Sequence, residues 1–596
     1  MASSSRSIVW NFMLKSVDGT KSTCSICNAS FKNTGSTTTM RKHLEKHHPI
    51  QLEELTKSRV KVKEESTARQ LKFQEKGSQP TLREAIESKK PYDVNGAKKR
   101  NQDRLLAEMV CRDLQPFSIV EDIGFRNYSF GLDPRYIIPS RRTLTRRLIP
   151  ELYSESKETL MKQLHDATDI HLTTDHWSSK RAQGFITVTA HFINSDWQLI
   201  PCVLDTERMT DSVTAQALAD TISSIMDRWS ITDKVRTIVT DNASNIKLCV
   251  KKLNKNWLPC VGHNFNLIVH DAMKSLSADM KNIKAKSKKI VGHFKHSTKA
   301  SDCLEKIQIA ENAEPLRLTQ EVDTRWNSTL FMFQRLIKIY PFVMSALMKE
   351  NRPDLCLTDG DLANIKQLIA VLEPFDKATR ELSADTYPTA SKVITLVDML
   401  GKWMENAGQD EKSLASKLKA NLSARFQENE ETFELGWAAA TFLDPRFKTN
   451  GFSCQQKYEN VKDHLLNKMT PVQEEETQEE TQEIEVNEDS LWKFFDNKVK
   501  HMKKTSTTSA VKPTKEMERY LEGDILSRSE DPLKWWKMNS ISFPQLADLA
   551  KNYLACPATS TSSERLFSKA GELVCQRRSN LKPNKINMVL FLNKNL

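Results

Sequence analysis

The sequence lacks the features that mark membrane and secreted proteins. None of its hydrophobic runs approaches the roughly 18 uninterrupted apolar residues that a membrane-spanning helix needs. The N-terminal MASSSRSIVWNFML contains no apolar segment ending in a small-residue cleavage site. The 11 cysteines are scattered over 596 residues and odd in number, which does not suit a disulfide framework. These absences predict an intracellular protein with no membrane partner.

What is present is the composition of an ordinary globular protein with an excess of positive charge. The chain is 39% hydrophobic and 7% aromatic, and its length predicts about three to five domains. A net charge of +12 favours a polyanionic partner. Residues 57–104 carry 14 Lys/Arg against 7 Asp/Glu, as in a basic linker beside a DNA-binding module or a solvated tether. Residues 471–490 carry nine acids and no base, which predicts a disordered acidic loop.

Cys24 and Cys27 have the spacing of metal ligands, and they are followed after fifteen residues by His43 and His48. Two thiolates and two imidazoles suit the tetrahedral coordination of zinc. His47 is the alternative fourth ligand at H-x3-H spacing, with His48 preferred. Without zinc, so short a module has too little core to fold. Its apolar cluster would come from the nearby aromatic residues Trp10, Phe12 and Phe31.

The residue pattern changes near residue 169, where short polar breaks separate three β-rich runs: DIHLTTDHWS, GFITVTAHFIN and WQLIPCVLDTERM. A helical segment, a short buried strand and a second helix follow. The order βββαβα is the start of an RNase H-like fold, with the first strand central and the fourth beside it. Asp175 ends the first strand and Asp241 the fourth. They are either a carboxylate pair for divalent ions or strand-end turn formers.

Further along, the chain is mainly helical, with apolar residues at i, i+3 and i+4 in segments such as FMFQRLIKIYPFVMSALM. Basic residues cluster twice in these regions. One cluster is the arginine group in RRTLTRR at 141–147, and the other is KNIKAKSKKIVGHFKHSTK. Each either contacts phosphates or lies on a solvated helix face.

Five elements, in order, resemble those of the hAT transposase family. The finger, with its upstream aromatics and Pro49, resembles a BED zinc finger. The four others are CVGHNFNL with a C-x2-H element, TRWNST with an R-W motif, the landmark ATFLDPRFK, and a C-terminus running from DPLKWWKMNS to VLFLNKN. This last segment resembles the hAT C-terminal dimerisation region. The sequence is identified as resembling a hAT-superfamily transposase with an N-terminal BED-type zinc finger.

The resemblance implies a multidomain α+β protein. A small ββα-type zinc finger is followed by an RNase H-like α/β core, which a large all-α insertion interrupts before the hAT dimerisation region. The expected boundaries are 1–55 for the finger, 56–80 for the basic linker, 81–165 for a helical DNA-binding and dimerisation domain, 166–270 for the first part of the core, 271–530 for the insertion with its acidic loop 471–490, and 531–596 for the dimerisation region that includes the last core helix.

The resemblance also implies a site. Asp175, Asp241 and Glu564 match the family's catalytic acids, which hold Mg²⁺ or Mn²⁺ in addition to the structural Zn²⁺ of the finger. Glu564 lies about 320 residues after Asp241, and this separation is reasonable if the intervening chain is a helical insertion. Val213 departs from the family, whose members often have histidine there. The residues expected to contact DNA are Lys32, Arg41, Lys42, Cys260, His263, Arg325 and Trp326.

The implied function is that of a DNA transposase. The finger would bind the terminal inverted repeats of a transposon, and the acids would cut and join DNA, including target DNA, by two-metal DDE phosphoryl transfer. We expect a homodimer or higher homo-oligomer in the nucleus, with AKKR at 97–100 as a candidate targeting signal. The alternative is a domesticated, catalytically inactive BED-finger transcription regulator that binds DNA as a dimer. The presence of all three acids favours the transposase.

Overall fold

The computed structural model describes residues 12–15, 21–27, 29–32, 37–49, 90–178, 184–209, 213–407, 413–427, 431–469, 511–573 and 581–596. Contacts divide the chain into two compact units. The first comprises Met1–Asp93 and Phe130–Ile137, and the second Val94–Ser129 and Ile138–Leu596. The predictions for the basic linker, the acidic loop and Trp10 lie outside the described residues.

The described residues between 12 and 49 of the first unit form a three-stranded antiparallel sheet and one helix. Its elements are β1 (Met13–Lys15), β2 (Lys21–Cys24), β3 (Ser30–Lys32) and α1 (Thr38–His47). The expected ββα finger therefore gains a strand, because Met13 of β1 completes a core that is otherwise very small. The residues of that core are Met13, Cys24, Met40 and Leu44, with Phe12 and Phe31 packed against them.

The second unit is built around a five-stranded sheet of order β6-β5-β4-β7-β8. β4 lies at its centre, antiparallel to β5 and parallel to β7. This confirms the predicted meander with a central first strand and the fourth strand beside it. The fifth strand, β8, was not expected from the sequence. The strands are β4 (Ile170–Ser178), β5 (Gly184–Ile193), β6 (Leu199–Met209), β7 (Val235–Thr240) and β8 (Asn256–Pro259).

Helices surround this sheet. α5 and α6 connect its later strands, and one face of β4, represented by Ile170 and Leu172, is buried in a core that α4 and α5 complete. The AKKR segment forms the first turn of α2, where Lys98 and Arg100 are exposed and Lys99 is buried against Asp103, and its targeting role stays a prediction. The helices are α2 (Ala97–Arg112), α3 (Ile123–Leu132), α4 (Ile149–Asp166), α5 (Ala215–Arg228) and α6 (Ser244–Lys252), with short turns at Phe117–Glu121, Arg141–Thr143 and Leu144–Leu148.

From β8 to residue 469, the described residues form helices and loops without a strand. They are α7 (Val261–Lys274), α8 (Ala278–His296), α9 (Thr298–Ala310), α10 (Trp326–Lys349), α11 (Asp359–Leu382), α12 (Val393–Ala407), α13 (Leu414–Gln427), α14 (Glu431–Phe442) and α15 (Gln455–Lys468), with short turns at Pro353–Leu355, Ala390–Lys392 and Lys448–Gly451. The C-terminal helices are α16 (Val511–Glu522), α17 (Pro532–Asn539), α18 (Pro544–Ala555), α19 (Thr561–Leu573) and α20 (Pro583–Asn595).

By length and composition, α10 is apolar enough to cross a membrane, although Arg335 and Lys338 interrupt its apolar run. Half of its most apolar stretch is buried inside the protein. Leu330, Phe333 and Leu336 pack in the core that the insertion shares with β8. Packing of this buried half inside the protein accounts for part of the hydrophobicity of α10. A buried core helix can be as long and as apolar as a membrane-spanning helix.

The ATFLDPRFK segment contains a buried cluster of charged side chains. The Asp444 carboxylate is fully buried and accepts hydrogen bonds from Arg446 (Nε, 2.9 Å) and Ser391 (Oγ, 2.6 Å). Lys448 is also buried, and its ammonium donates to the carbonyls of Tyr520 and Gly523 at 2.7 Å each. Each buried charge has partners, so this cluster links the insertion to the C-terminal helices without an uncompensated buried charge.

His171 predicts an acid-sensitive step in stability. Its imidazole is buried in β4 and its Nε2 donates to the carbonyl of Asn552 at 2.7 Å. Burial lowers its pKa from 6.5 to about 4. The folded state therefore resists protonation, and stability present above pH 6.5 is lost as the pH falls towards 4.

We expect His171→Gln, which retains a side-chain donor without titrating, to remove on the order of 2 kcal/mol of this acid sensitivity. The measurement is the urea unfolding free energy of both proteins at pH 7.5 and pH 4.5. An identical pH dependence in wild type and variant would contradict this assignment.

Candidate active site and zinc centre

The carboxyl ends of β4 and β7 place two of the predicted acids side by side. The strands pair in parallel, with Thr173 opposite Val239. Asp175 and Asp241 each follow two residues later, so they leave adjacent strands at the same level and on the same side of the sheet. The His176 amide donates to Asp175 Oδ1 at 2.8 Å, which helps to orient the first of these carboxylates.

The C-terminal helix α19 covers this same side of β4. Thr173, which projects on the same face as Asp175, shares a hydrogen bond of 2.8 Å with Ser563. One turn further along, the ring of Phe567 lies 5.9 Å from the ring of Trp177. Glu564 lies between these two anchors, and α19 thereby brings it to the two aspartates from the far end of the chain.

The three acids influence one another electrostatically. Burial raises the pKa of Asp175 to about 7, and the negative charges of Glu564 and Asp241 add to the shift. Burial also raises the pKa of Glu564, against the opposing effect of Arg325 and His263. The residue as a whole reaches solvent. Ionising such a cluster calls for a positive counter-charge.

The donor set fits a divalent ion with a preference for hard oxygen ligands, such as Mg²⁺ or Mn²⁺. The acids are neighbours but are not drawn tightly together. Within the described part of the chain, the ligand atoms of Asp175, Asp241 and Glu564 form no group lying within 4.8 Å of one another, as those of the finger do.

Cys260, expected at the DNA, is instead a buried structural residue. It begins α7, and its sulfur accepts hydrogen bonds from the amides of His263 (3.4 Å) and Ser560 (3.3 Å). Burial raises the pKa of its thiol to about 11. Cys260 thus connects the start of α7 to the residue preceding α19, while His263 remains half-buried beside Glu564.

Trp326, also expected at the DNA, begins α10 and is buried. Its amide donates to Asn266 Oδ1 at 3.1 Å, and its ring packs edge-on against Phe375. In this arrangement Trp326 presents almost no surface to solvent, and its contact with DNA stays a prediction. Arg325, the preceding residue, is exposed and within electrostatic reach of Glu564.

The two basic clusters differ in how far their charges are already paired. In α8, Lys284 and Lys288 pair with the buried Glu321, and Lys286 with Asp361. Much of that positive charge is therefore compensated within the insertion. The arginines at 141, 142, 146 and 147 are all exposed, and Arg141 lies 4.0 Å from the Glu121 carboxylate.

The finger gathers four candidate zinc ligands. The ligand atoms of Cys24, Cys27, His43 and His48 all lie within 4.8 Å of one another, and Cys27 Sγ lies 3.3 Å from His43 Nε2. This group contains His48 rather than His47. The donor set of two thiols and two imidazoles is one that zinc prefers, which supports a structural Zn²⁺ in the finger.

The remaining predicted positions have simple locations. Lys32, Arg41 and Lys42 are all exposed on β3 and α1. Val213 is partly buried against the sheet core, and its carbonyl accepts a hydrogen bond from Asn245 at 2.9 Å. Its apolar side chain thus has a packing role in this chain.

Sequence reasoning missed the residues that hold α19 in place. Thr173 and Trp177 each lie two residues from the predicted acid Asp175, but their role depends on a helix nearly 400 residues away. Asp385, described below, had no sequence signal at all, because a single aspartate in a loop is common. Ser563, in the SSER segment, is the one that its neighbour Glu564 could have suggested.

Comparison with protein families finds four matched regions. Residues 7–49 match the BED zinc finger, and residues 173–262 match the ZBED1 RNase-like domain. Residues 258–369 match the ZBED1 RNase-like helical domain, and residues 516–596 match the hAT family C-terminal dimerisation region. Their order agrees with the finger, sheet, helical insertion and C-terminal helices of the structure.

Similar proteins carry names of two kinds. The chain is 27% identical over 99% of its length to human zinc finger BED domain-containing protein 4, covering 51% of that protein. It is 25% identical to a Zea mays protein named as an AC transposase, over 78% of this chain and 61% of the relative. It is 24% identical to a Talaromyces stipitatus protein named as a transcriptional regulator, over 84% and 62%. The chain thus spans about half to three-fifths of the length of these relatives.

One chain here contains all of the matched regions. They are a BED finger at one end, an RNase-like sheet with its helical region in the middle, and a hAT dimerisation region at the other end. The chain thus combines a BED zinc finger with a hAT family C-terminal dimerisation region, and it is similar to BED-finger proteins and to a protein named as an AC transposase.

Proposed function

We propose that this chain is a DNA transposase whose nuclease site consists of Asp175, Asp241 and Glu564. The observation that carries the proposal is the convergence of these three acids from two neighbouring strands and a distant helix. A structural role alone does not require three mutually repelling carboxylates at one sheet edge.

Divalent ions held by these acids would supply an activated water or 3′-hydroxyl and stabilise the charge that develops on the phosphate. The role of the chain is to hold the acids in place. β4 and β7 set the spacing of the aspartates, and α19 sets that of Glu564. Arg325 and His263 lie close enough to Glu564 to contact a DNA phosphate at the same site.

Recognition of DNA falls to the finger. Lys32, Arg41 and Lys42 are exposed, and α1 has the form of a helix that could enter the major groove. The matched dimerisation region supports a homodimer or higher homo-oligomer acting on paired transposon ends. Such a protein would act on double-stranded DNA in the nucleus.

The second candidate is a catalytically inactive regulator that binds DNA through the same finger. The specific observation in its favour is the burial of Cys260 and Trp326, which removes two expected DNA contacts from the site. A relative named as a transcriptional regulator is consistent with it. The two candidates differ in one measurable property, metal-dependent cleavage.

The first test is cleavage of DNA carrying the terminal inverted repeats that flank the gene, in Mg²⁺ or Mn²⁺. We expect Asp175→Asn, Asp241→Asn and Glu564→Gln each to reduce nicking on the order of a thousandfold, because each removes a metal ligand. Binding of the same DNA should be unchanged. Glu158→Gln, which alters an exposed carboxylate on α4, is the control.

Metal-dependent nicking that survives loss of one acid would remove that acid from the site. Tight binding with no nicking by any of these proteins would instead support the regulator.

The second test concerns charge in the finger. A protein that makes phosphate contacts with Lys32, Arg41 and Lys42 should lose them in the triple glutamine variant. The slope of log Kd against log salt concentration should then fall by about 2.7, or about 0.9 per contact. The matched control replaces Lys306, Lys349 and Lys366, three exposed lysines of the insertion that lie outside the basic cluster of α8. An equal fall in both variants would mean that net charge, not the finger, governs binding.

The third test removes zinc. Chelation, or Cys27→Ser with His43→Asn, should unfold the finger because its core contains only a few buried side chains. We expect DNA binding to be lost while the main thermal transition stays within about 2 °C of wild type. Retention of DNA binding in zinc-free protein would exclude the finger as the recognition element.

A further inference from the structure

Asp385 lies in the segment 383–389 of the insertion and contacts both of the last two helices. Its carboxylate accepts hydrogen bonds from Ser562 Oγ (2.8 Å) and forms ion pairs with Arg565 (2.9 Å) and Lys594 (3.2 Å). The Asp385 side chain is 12% exposed. It is therefore a largely buried charge, and two of its partners, Ser562 and Arg565, flank Glu564 in the first turn of α19.

The same part of the insertion holds the chain on both sides of Glu564. Before α19, the Ala558 amide donates to Thr389 Oγ1 at 3.0 Å. After Glu564, the guanidinium of Arg565 also donates to the Ser383 carbonyl at 2.8 Å. The insertion thus fixes the segment that carries Glu564 independently of the sheet.

The partners of Asp385 favour the ionised form of its carboxyl group. Burial disfavours the ionised form, but Lys594, Ser562 and Arg565 together lower the pKa of the carboxyl below its usual value. Asp385 therefore stays ionised at neutral pH. Its removal would leave two cations without their shared partner and free the Ser562 hydroxyl.

We propose that Asp385 is a positioning residue for Glu564, through which the helical insertion sets the place of the third carboxylate beside Asp175 and Asp241. The proposal rests on the proposed function of these acids as a metal site. Outer contacts of this kind orient metal ligands, and their loss typically lowers metal affinity by about 10–100-fold.

A merely stabilising role is separable from positioning because the chain contains a matched carboxylate. Asp205 on β6 is 4% exposed and contacts Arg228 (3.1 Å), Trp229 (3.0 Å) and Asn587 (2.7 Å). Its partners thus lie on or beside α5 and on α20, and none lies on α19. Asp205→Ala should cost stability of a similar kind without moving Glu564.

The experiment measures Mn²⁺ binding to the zinc-loaded full chain by electron paramagnetic resonance, without DNA, beside thermal unfolding. The proteins are wild type, Asp385→Ala, Ser562→Ala, Asp205→Ala and Glu564→Gln. We expect Asp385→Ala to weaken Mn²⁺ binding about tenfold or more and Ser562→Ala about threefold. Asp205→Ala should bind Mn²⁺ like wild type. Ser562→Ala decides the matter if Asp385→Ala does not fold.

Two results would overturn the proposal. One is Mn²⁺ affinity unchanged in Asp385→Ala, or in Ser562→Ala where that variant decides. The other is a loss of affinity in Asp205→Ala equal to that in Asp385→Ala, which would reduce Asp385 to a stabilising residue. If wild type does not bind Mn²⁺, or if Glu564→Gln binds it as well as wild type, the proposed function fails and this inference fails with it. Wild-type binding that depends on Glu564 but not on Asp385 overturns the inference alone.

Discussion

The hydrogen bond between Thr173 and Ser563 joins residues 390 positions apart and closes the second unit of this protein. It attaches α19 to the central strand of the sheet at the level where Asp175 begins to reach solvent. The Trp177 contact with Phe567 supports the same attachment one turn further on. Without this closure, Glu564 would be an ordinary residue on a helix surface, and the two aspartates would have no third acid. The proposed site therefore depends on a contact made only after most of the chain has been placed.

The insertion is part of this closure and does not merely decorate the sheet. Segment 383–389 contacts the chain before and after Glu564. The buried charged cluster at Asp444–Lys448 connects the insertion to the residues after α16. Cys260, at the start of α7, contacts the residue that precedes α19. The C-terminal helices thus pack on both the sheet and the insertion. Buried charges at these junctions are paired, which is the condition under which they can be retained at a modest cost in stability.

Much of the fold could be predicted because local patterns report it directly. Alternating and continuous apolar runs gave β4 to β7, and the strand order βββαβα gave their arrangement. Cysteine and histidine spacing gave the finger ligands, since one turn and one helix bring them together. Prediction was weaker where residues act through tertiary contacts. Cys260 and Trp326 were expected at DNA but are buried. A motif records that a residue is needed, without saying whether it faces a ligand or the core.

The sequence by itself determined the order of the domains, the strands that carry Asp175 and Asp241, and the composition of the zinc centre. These depend on interactions within a few tens of residues, where spacing translates into geometry. The tertiary structure alone decided that Glu564 lies near the aspartates, that Asp385 contacts the helix on which Glu564 lies, and that three of the six lysines of α8 are ion-paired. Those outcomes depend on packing between segments hundreds of residues apart, and no local periodicity encodes which of many surface residues such packing will bring together.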